Sequence, residues 1–96
     1  QPYVPELPQR RLAVRRGLFQ RCVVQHSRRS VRALVRDVSM GGLGLDGVEG
    51  LIPDEVVVVD LQCGRRFVGK GEWACERLAG ISFSRLLPPN DPLLFG

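Results

Sequence analysis

Lysine, histidine and tryptophan are scarce in this chain of 96 residues: each occurs once, and aromatic residues make up only 6 % of the sequence. No apolar run approaches the roughly 20 residues that a membrane-spanning helix needs, and no signal-peptide pattern is present. No long stretch repeats its apolar residues with the 3.6-residue period of an amphipathic helix. These absences argue against a membrane-spanning helix and a helical bundle, and we expect one cytoplasmic domain with a single core.

Metal-site and disulfide patterns are missing as well. Cys22, Cys63 and Cys75 are an odd number, with no Cys-x-x-Cys or Cys/His spacing among them. All three fall in strand-like, partly apolar segments, so we expect buried, reduced thiols. The sequence therefore predicts neither a metal site nor a cofactor.

Acidic residues are absent from residues 9–36, a segment that carries nine of the chain's arginines. The only lysine, Lys70, lies far downstream. Arginine binds phosphate and guanine through a planar, bidentate fork, whereas lysine acts as a point charge. With a net charge of +4, the chain has an amino-terminal third suited to an anionic partner. The alternative is a solvated basic face without a specific ligand.

Alternating and β-branched runs at short spacing predict an all-β fold. In the second run Val31, Ala33 and Val35 would share one face of a strand, opposite its arginines. Short turn-like connectors join the runs, which favours a six-stranded antiparallel barrel or sandwich. Gly69 and Gly71 inside the fifth run predict a bulge or bend of the kind that closes a barrel. The predicted strands span residues 19–26, 30–38, 43–45, 55–61, 65–75 and 78–83.

Proline marks both ends of the chain. Three prolines among the first nine residues predict an extended, mobile lead, and because Gln1 is not a methionine we expect upstream residues to have been removed. Near the other end, Asn90 is predicted to cap a short helical turn with Pro92 near its start, packed on a barrel end or on a partner. We therefore divide the chain into a lead at 1–9, a domain at 10–86 and a tail or short helix at 87–96.

Two arginines stand immediately before the first predicted strand. Three residues separate Arg11 from Arg15, and Arg10 and Arg16 flank the pair. The spacing alone carries little information, because other arginines of the chain share it. The position distinguishes this pair, since a flexible segment immediately before a strand can fold over a ligand. The alternative is a disordered basic tail.

A second motif, Asp37-x-Ser39-x-x-Gly42, lies at the end of the second predicted strand. A carboxylate accepts hydrogen bonds from the N1–H and N2–H₂ edge of guanine, and a serine hydroxyl both donates and accepts. Glycine lets backbone approach a base or a phosphate without a Cβ in the way. The alternative is a strand-to-turn connection in which Asp37 or Ser39 bonds nearby backbone and Gly41 or Gly42 takes a positive φ.

In this order and at this separation, the two motifs resemble those of the PilZ domain, a family of bacterial receptors for cyclic di-GMP (cyclic dimeric GMP). Gly71-Glu72-Trp73 followed by Gly80-Ile81-Ser82-Phe83 is similar to the closing strands of that family. The resemblance covers roughly residues 10–86. It implies a six-stranded antiparallel barrel that holds the nucleotide on its outer surface.

The resemblance also implies roles for individual residues. Arg11 and Arg15 would hold phosphates and the O6/N7 edge of guanine, Asp37 and Ser39 would read the opposite guanine edge, and Gly42 would shape the turn. Arg10, Arg16 and Gly41 are secondary candidates. The expected function is a non-enzymatic sensor in the bacterial cytoplasm, which orders its arginine segment over cyclic di-GMP and signals to a protein partner.

Other functions remain open at this point. A PilZ-like adaptor would bind protein and no nucleotide, through an apolar footprint at Leu93-Leu94-Phe95. General nucleic-acid binding through the arginines would lack interleaved aromatic residues. An enzyme is the least supported class, because no histidine is patterned near Asp37 and Ser39, and His26 is expected at the surface. Trp73 is expected in the barrel core or at a barrel end rather than as a stacking platform.

Overall fold

The six predicted strands form a closed antiparallel barrel in a computed structural model that describes residues 15–95. Neighbouring strands follow the order β1-β2-β3-β6-β5-β4, with β4 returning to pair with β1. The prediction of an all-β, six-stranded antiparallel barrel is confirmed, with the first strand starting three residues earlier than expected. The strands are β1 (Arg16–His26), β2 (Arg29–Val38), β3 (Gly42–Asp46), β4 (Val56–Leu61), β5 (Arg66–Cys75) and β6 (Leu78–Phe83).

The core combines inward-facing strand residues with three buried residues from the loops, Val48, Leu51 and Leu87. Val24, Val35, Val57 and Leu43 are fully buried, as the alternating pattern of the sequence requires. Burying a side chain of this size contributes about 1.5–3 kcal/mol to folding. The prediction that Val35 faces inward and Arg36 outward is likewise confirmed.

The C-terminal segment closes one end of the barrel. It ends in a single helical turn, α1 (Pro92–Phe95), and Leu93 joins the barrel core. The Asp91 carboxylate accepts a 3.0 Å hydrogen bond from the Leu93 amide, which makes Asp91 the N-cap and Pro92 the first helical residue. The prediction of Asn90 as the cap is therefore wrong by one residue, and the packing of the tail on the barrel is confirmed.

Three bulges interrupt the regular pairing. In β1 two residues, Leu18 and Phe19, lie opposite Arg36 alone. In β2 Arg36 is an extra residue relative to β3, and in β5 Glu72 is an extra residue relative to β6. Bulges bend a strand and re-aim the neighbouring side chains. The predicted irregularity at Gly71 is thus confirmed.

Several residues lie elsewhere than predicted. Cys22 is buried as expected, and burial raises the pKa of its thiol to about 11, whereas Cys63 and Cys75 are exposed. Cys63 occupies the turn after β4, and Cys75 ends β5 on its outer side. Neither side chain faces the core, so the prediction that these two thiols are buried is wrong. His26 is 4 % exposed rather than at the surface, because it continues the inward alternation of Cys22 and Val24.

Among residues 15–95, no helix has the length and apolar character needed to cross a membrane. Within the same range, no three His, Cys, Asp or Glu side chains lie close enough together to hold a metal ion.

Candidate functional site

One row of paired residues crosses the outer face of the barrel over five strands. Gly17 of β1 pairs with Asp37 of β2, and Asp37 pairs with Gly44 of β3. Gly44 pairs in turn with Gly80 of β6, and Gly80 pairs with Trp73 of β5. We call these five residues the cross-strand row. Three of the five have no side chain, so neighbouring side chains can lie directly on their backbone.

Each glycine of the cross-strand row is overlain by a neighbouring side chain. The ring edge of Phe19 comes within 3.1 Å of the point that a Cβ on Gly17 would occupy, and Asp37 Oδ1 comes within 2.6 Å of the corresponding point on Gly44. The indole of Trp73 lies on Gly80 so closely that a Cβ there would collide with Nε1. The three bulges flank these positions: Phe19 lies within one, and Asp37 and Trp73 each follow the extra residue of another.

Arg15 and Asp37 form an ion pair on this surface. Arg15 Nη1 donates to Asp37 Oδ1 over 2.7 Å, and the two side chains are 42 % and 30 % exposed. An exposed pair of this kind contributes only about 0–1 kcal/mol to stability. A ligand that offers a phosphate to the guanidinium and donors to the carboxylate can therefore replace it at little cost. The structure thus brings together one residue from each predicted motif.

The rest of the second motif forms the turn between β2 and β3. Ser39 is 2 % exposed, its amide donates to the Gly42 carbonyl over 2.9 Å, and its Oγ accepts from the Gly41 amide over 3.3 Å. A Cβ on Gly42 would collide with the Ile81 carbonyl oxygen, so glycine is needed there for close contact between β3 and β6. The alternative interpretation of this motif is therefore confirmed for Ser39, whose side chain bonds nearby backbone, and wrong for the glycines, because neither Gly41 nor Gly42 has a positive φ.

The other predicted arginines are placed differently. Arg16 Nη1 donates to the Leu93 carbonyl over 2.7 Å, so this side chain ties β1 to the C-terminal turn. Arg10 and Arg11 lie outside the described residues 15–95. The structure therefore describes one arginine of the predicted pair and one of its two neighbours.

Sequence reasoning missed Phe19 and the glycines of the cross-strand row, and it misplaced Trp73. Trp73 is 46 % exposed and lies on the outer face, so its predicted place in the core or at a barrel end is wrong. The extra residue Glu72 turns it outward, and no pattern within β5 announces that shift. The available sign was the two-residue spacing of Gly42 and Gly44, which puts both glycines on the same face of β3.

A second polar cluster lies at the opposite end of β1. His26 is buried with no hydrogen-bond partner on either ring nitrogen among the described residues, and its Nδ1 lies 3.7 Å from Glu55 Oε1. Hydrogen bonds from the Ser27 hydroxyl and the Ile52 amide lower the pKa of Glu55. The hydroxyl thus bonds the carboxylate and not the imidazole, so this cluster lacks the serine–histidine bond of an activated nucleophile.

A surface concavity of about 680 Å³ lies over the middle of β1 and β2, away from the cross-strand row. Its charged lining has both signs, with Arg21, Arg32 and Arg77 beside Asp46 and Asp60. Arg77 and Asp46 approach to 3.8 Å. The two carboxylates offset the attraction of the arginines for a phosphate, so the concavity is a weaker candidate for an anionic ligand.

No protein-family model matches the chain, and no curated protein matches it. The resemblance to PilZ domains consequently depends on the residues of the two motifs and of the closing strands.

Proposed function

We propose that this barrel is a non-enzymatic receptor for cyclic di-GMP, of the PilZ type, acting in the bacterial cytoplasm. The observation that carries the proposal is the exposed ion pair between Arg15 and Asp37, which joins the two motifs on one patch of the barrel wall. Twenty-one residues separate the two in the chain, and the β1–β2 pairing brings them to one surface. A guanine nucleotide needs this combination of a cation and an acceptor.

The chemistry of the pair fits the two ends of such a ligand. The Arg15 guanidinium would bind a phosphate or the O6/N7 edge of guanine, a bidentate contact that contributes about 1–3 kcal/mol of discrimination. The Asp37 carboxylate would accept from the N1–H and N2–H₂ groups of guanine. Each partner exchanges its contact with the other for hydrogen bonds to the ligand, so neither charge is left unpaired in the complex.

Gly44 and Gly80 add no side chains beside Asp37, and both are buried beneath the Asp37 carboxylate and the Trp73 indole. A base bound by Asp37 would therefore meet these two side chains rather than the backbone of the sheet. Ser39 and Gly42 support the proposal indirectly, because their turn fixes the end of β2 next to Asp37. Arg11, with Arg10 beside it, would add a second guanidinium as the lead orders over the ligand, and the reshaped surface would then signal to a protein partner.

Calorimetry at physiological salt tests the proposal with cyclic di-GMP, cyclic GMP and GTP. We expect micromolar or tighter binding of cyclic di-GMP alone, lost in Arg15→Ala and in Asp37→Ala. The matched control is the Arg66–Asp60 pair, an exposed 2.6 Å contact between β5 and β4. Arg66→Ala and Asp60→Ala should bind like the wild type, whereas equal binding by all five proteins, or none by the wild type, would overturn the proposal.

Tryptophan fluorescence gives an independent reading of the same titration. The chain has one tryptophan, Trp73, and its indole lies in the cross-strand row at 46 % exposure. A ligand seated between Asp37 and Trp73 should shift or quench its emission with the calorimetric affinity. An unchanged spectrum alongside calorimetric binding would place the ligand elsewhere on the barrel.

An adaptor that binds protein and no nucleotide is the second candidate. Phe95 and Leu86 are exposed beside the closed end of the barrel, although Leu93 of the expected footprint is buried and Leu94 is half-buried. If this is the function, a protein partner should bind Phe95→Ser more weakly than the wild type, and cyclic di-GMP should not change its affinity. Partner binding that depends on the nucleotide would favour the receptor instead.

A further inference from the structure

Phe19 combines two unfavourable features. Its backbone φ is +51°, in the left-handed region that bulky residues rarely adopt, and its side chain is 70 % exposed. The first costs folding free energy as backbone strain. The second means that the ring gains little from burial in return. An alanine-sized or polar residue would serve the described fold at least as well.

The place of Phe19 is also specific. It lies in the β1 bulge, with its ring edge against Gly17, and Gly17 pairs directly with Asp37. The ring therefore lies on the β1 side of Asp37, whose carboxylate lies over Gly44 on the β3 side. The indole of Trp73 lies farther along the same row, two strands beyond Gly44. Bulges next to binding sites commonly re-aim a side chain in this way.

We infer that Phe19 is a ligand contact that stacks on a purine base whose edge is bound by Asp37, an inference that rests on the proposed function. A carboxylate that accepts from two donors on a guanine edge holds the base close to the barrel wall. An aromatic ring beside that carboxylate then offers the base a face to stack on. Stacking accepts any base, so Phe19 adds affinity while Asp37 supplies the preference for guanine.

Three substitutions separate the ring from the backbone. Phe19→Leu keeps an apolar side chain and removes the ring, Phe19→Tyr keeps the ring, and Phe19→Asn introduces a residue that tolerates positive φ. Val56→Ala is the matched control, an exposed apolar residue on β4 near the other end of the barrel. Because Phe19 is exposed and strained, we expect each of the three Phe19 variants to have a thermal midpoint equal to or higher than that of the wild type.

Calorimetry with cyclic di-GMP should show binding weakened about 5- to 100-fold in Phe19→Leu and Phe19→Asn. Phe19→Tyr and Val56→Ala should bind like the wild type. A second reading comes from proton NMR of the ligand: the guanine H8 resonance should move upfield on binding to the wild type and move less on binding to Phe19→Leu.

The possible outcomes distinguish this inference from the function beneath it. If the wild type binds and Asp37→Ala does not, but Phe19→Leu binds normally, the role of Phe19 is refuted and the receptor stands. If Phe19→Leu and Phe19→Asn bind weakly and also have thermal midpoints below that of the wild type, Phe19 supports the fold and the inference fails. If the wild type does not bind cyclic di-GMP, both proposals fail together.

Discussion

The carboxylate of Asp37 lies on the backbone of Gly44, with Oδ1 2.6 Å from the point that a Cβ on Gly44 would occupy. The two residues are direct partners across β2 and β3. Glycine at this position therefore allows Asp37 to lie flat against the sheet and to meet Arg15. The position of the carboxylate depends on a residue outside both motifs.

Gly44→Ala tests that dependence. The added methyl group should push the Asp37 carboxylate away, break its contact with Arg15 and weaken cyclic di-GMP binding at least tenfold. A double-mutant cycle checks the cause, because alanine at position 44 should cost little stability in an Asp37→Ala background. We expect a coupling free energy of about 1 kcal/mol or more from urea unfolding. Additive effects would show that the methyl group meets something other than Asp37.

Asp91 is predicted to make the stability of the barrel sensitive to acid. Two hydrogen bonds from Arg65, of 2.7 and 3.0 Å, and one from the Leu93 amide hold the pKa of Asp91 below its ordinary value of 3.8. A carboxyl whose pKa is lower in the folded state stabilises the fold above its unfolded pKa. That contribution is lost as the pH falls through the folded pKa.

The measurement is the free energy of unfolding of the wild type and Asp91→Asn between pH 7 and pH 2. At neutral pH the variant should be less stable by about 1.5–3 kcal/mol, the usual contribution of hydrogen bonds to a charged group. The difference should shrink as the pH falls below about 4. A difference that stays constant down to pH 2 would mean that the charge of Asp91 contributes nothing to the C-terminal turn.

His26 is predicted to be replaceable without loss of stability. Its imidazole is buried, and neither ring nitrogen has a hydrogen-bond partner among the described residues. Replacing an unsatisfied polar group by an apolar one of similar size is nearly neutral or stabilising. His26→Leu should therefore unfold at the same urea concentration as the wild type or a higher one, and a loss of more than about 1 kcal/mol would show that the imidazole has a partner.

Local patterns were enough to predict the strands of this barrel. Alternation in β2 placed Val35 inward and Arg36 outward, and the valine run placed β4 in the core. These features depend on the two-residue period of a strand, which neighbouring residues reveal. The convergence of Arg15 with Asp37 was expected only from the resemblance of the two motifs to those of PilZ domains, and the pairing of β1 with β2 accounts for it.

Features that depend on register could not be predicted in the same way. Trp73 faces outward because Glu72 is an extra residue, and a bulge is defined by two strands together. Gly17, Gly44 and Gly80 form one row only through pairings between residues far apart in the chain. His26 was expected at the surface because it lies near a strand end, yet it is buried because it occupies an inward-facing position in the alternation of β1.

The most direct test of the binding surface is an NMR titration of ¹⁵N-labelled protein with cyclic di-GMP. If the cross-strand row holds the ligand, the largest amide shifts should fall at Gly17, Asp37, Gly44 and Gly80, together with the Trp73 indole N–H. Amides at the opposite end of the barrel, such as those of Arg28 and Glu55, should stay unchanged. Shifts confined to that end or to the concavity over β1 and β2, or no shifts at saturating ligand, would contradict the account.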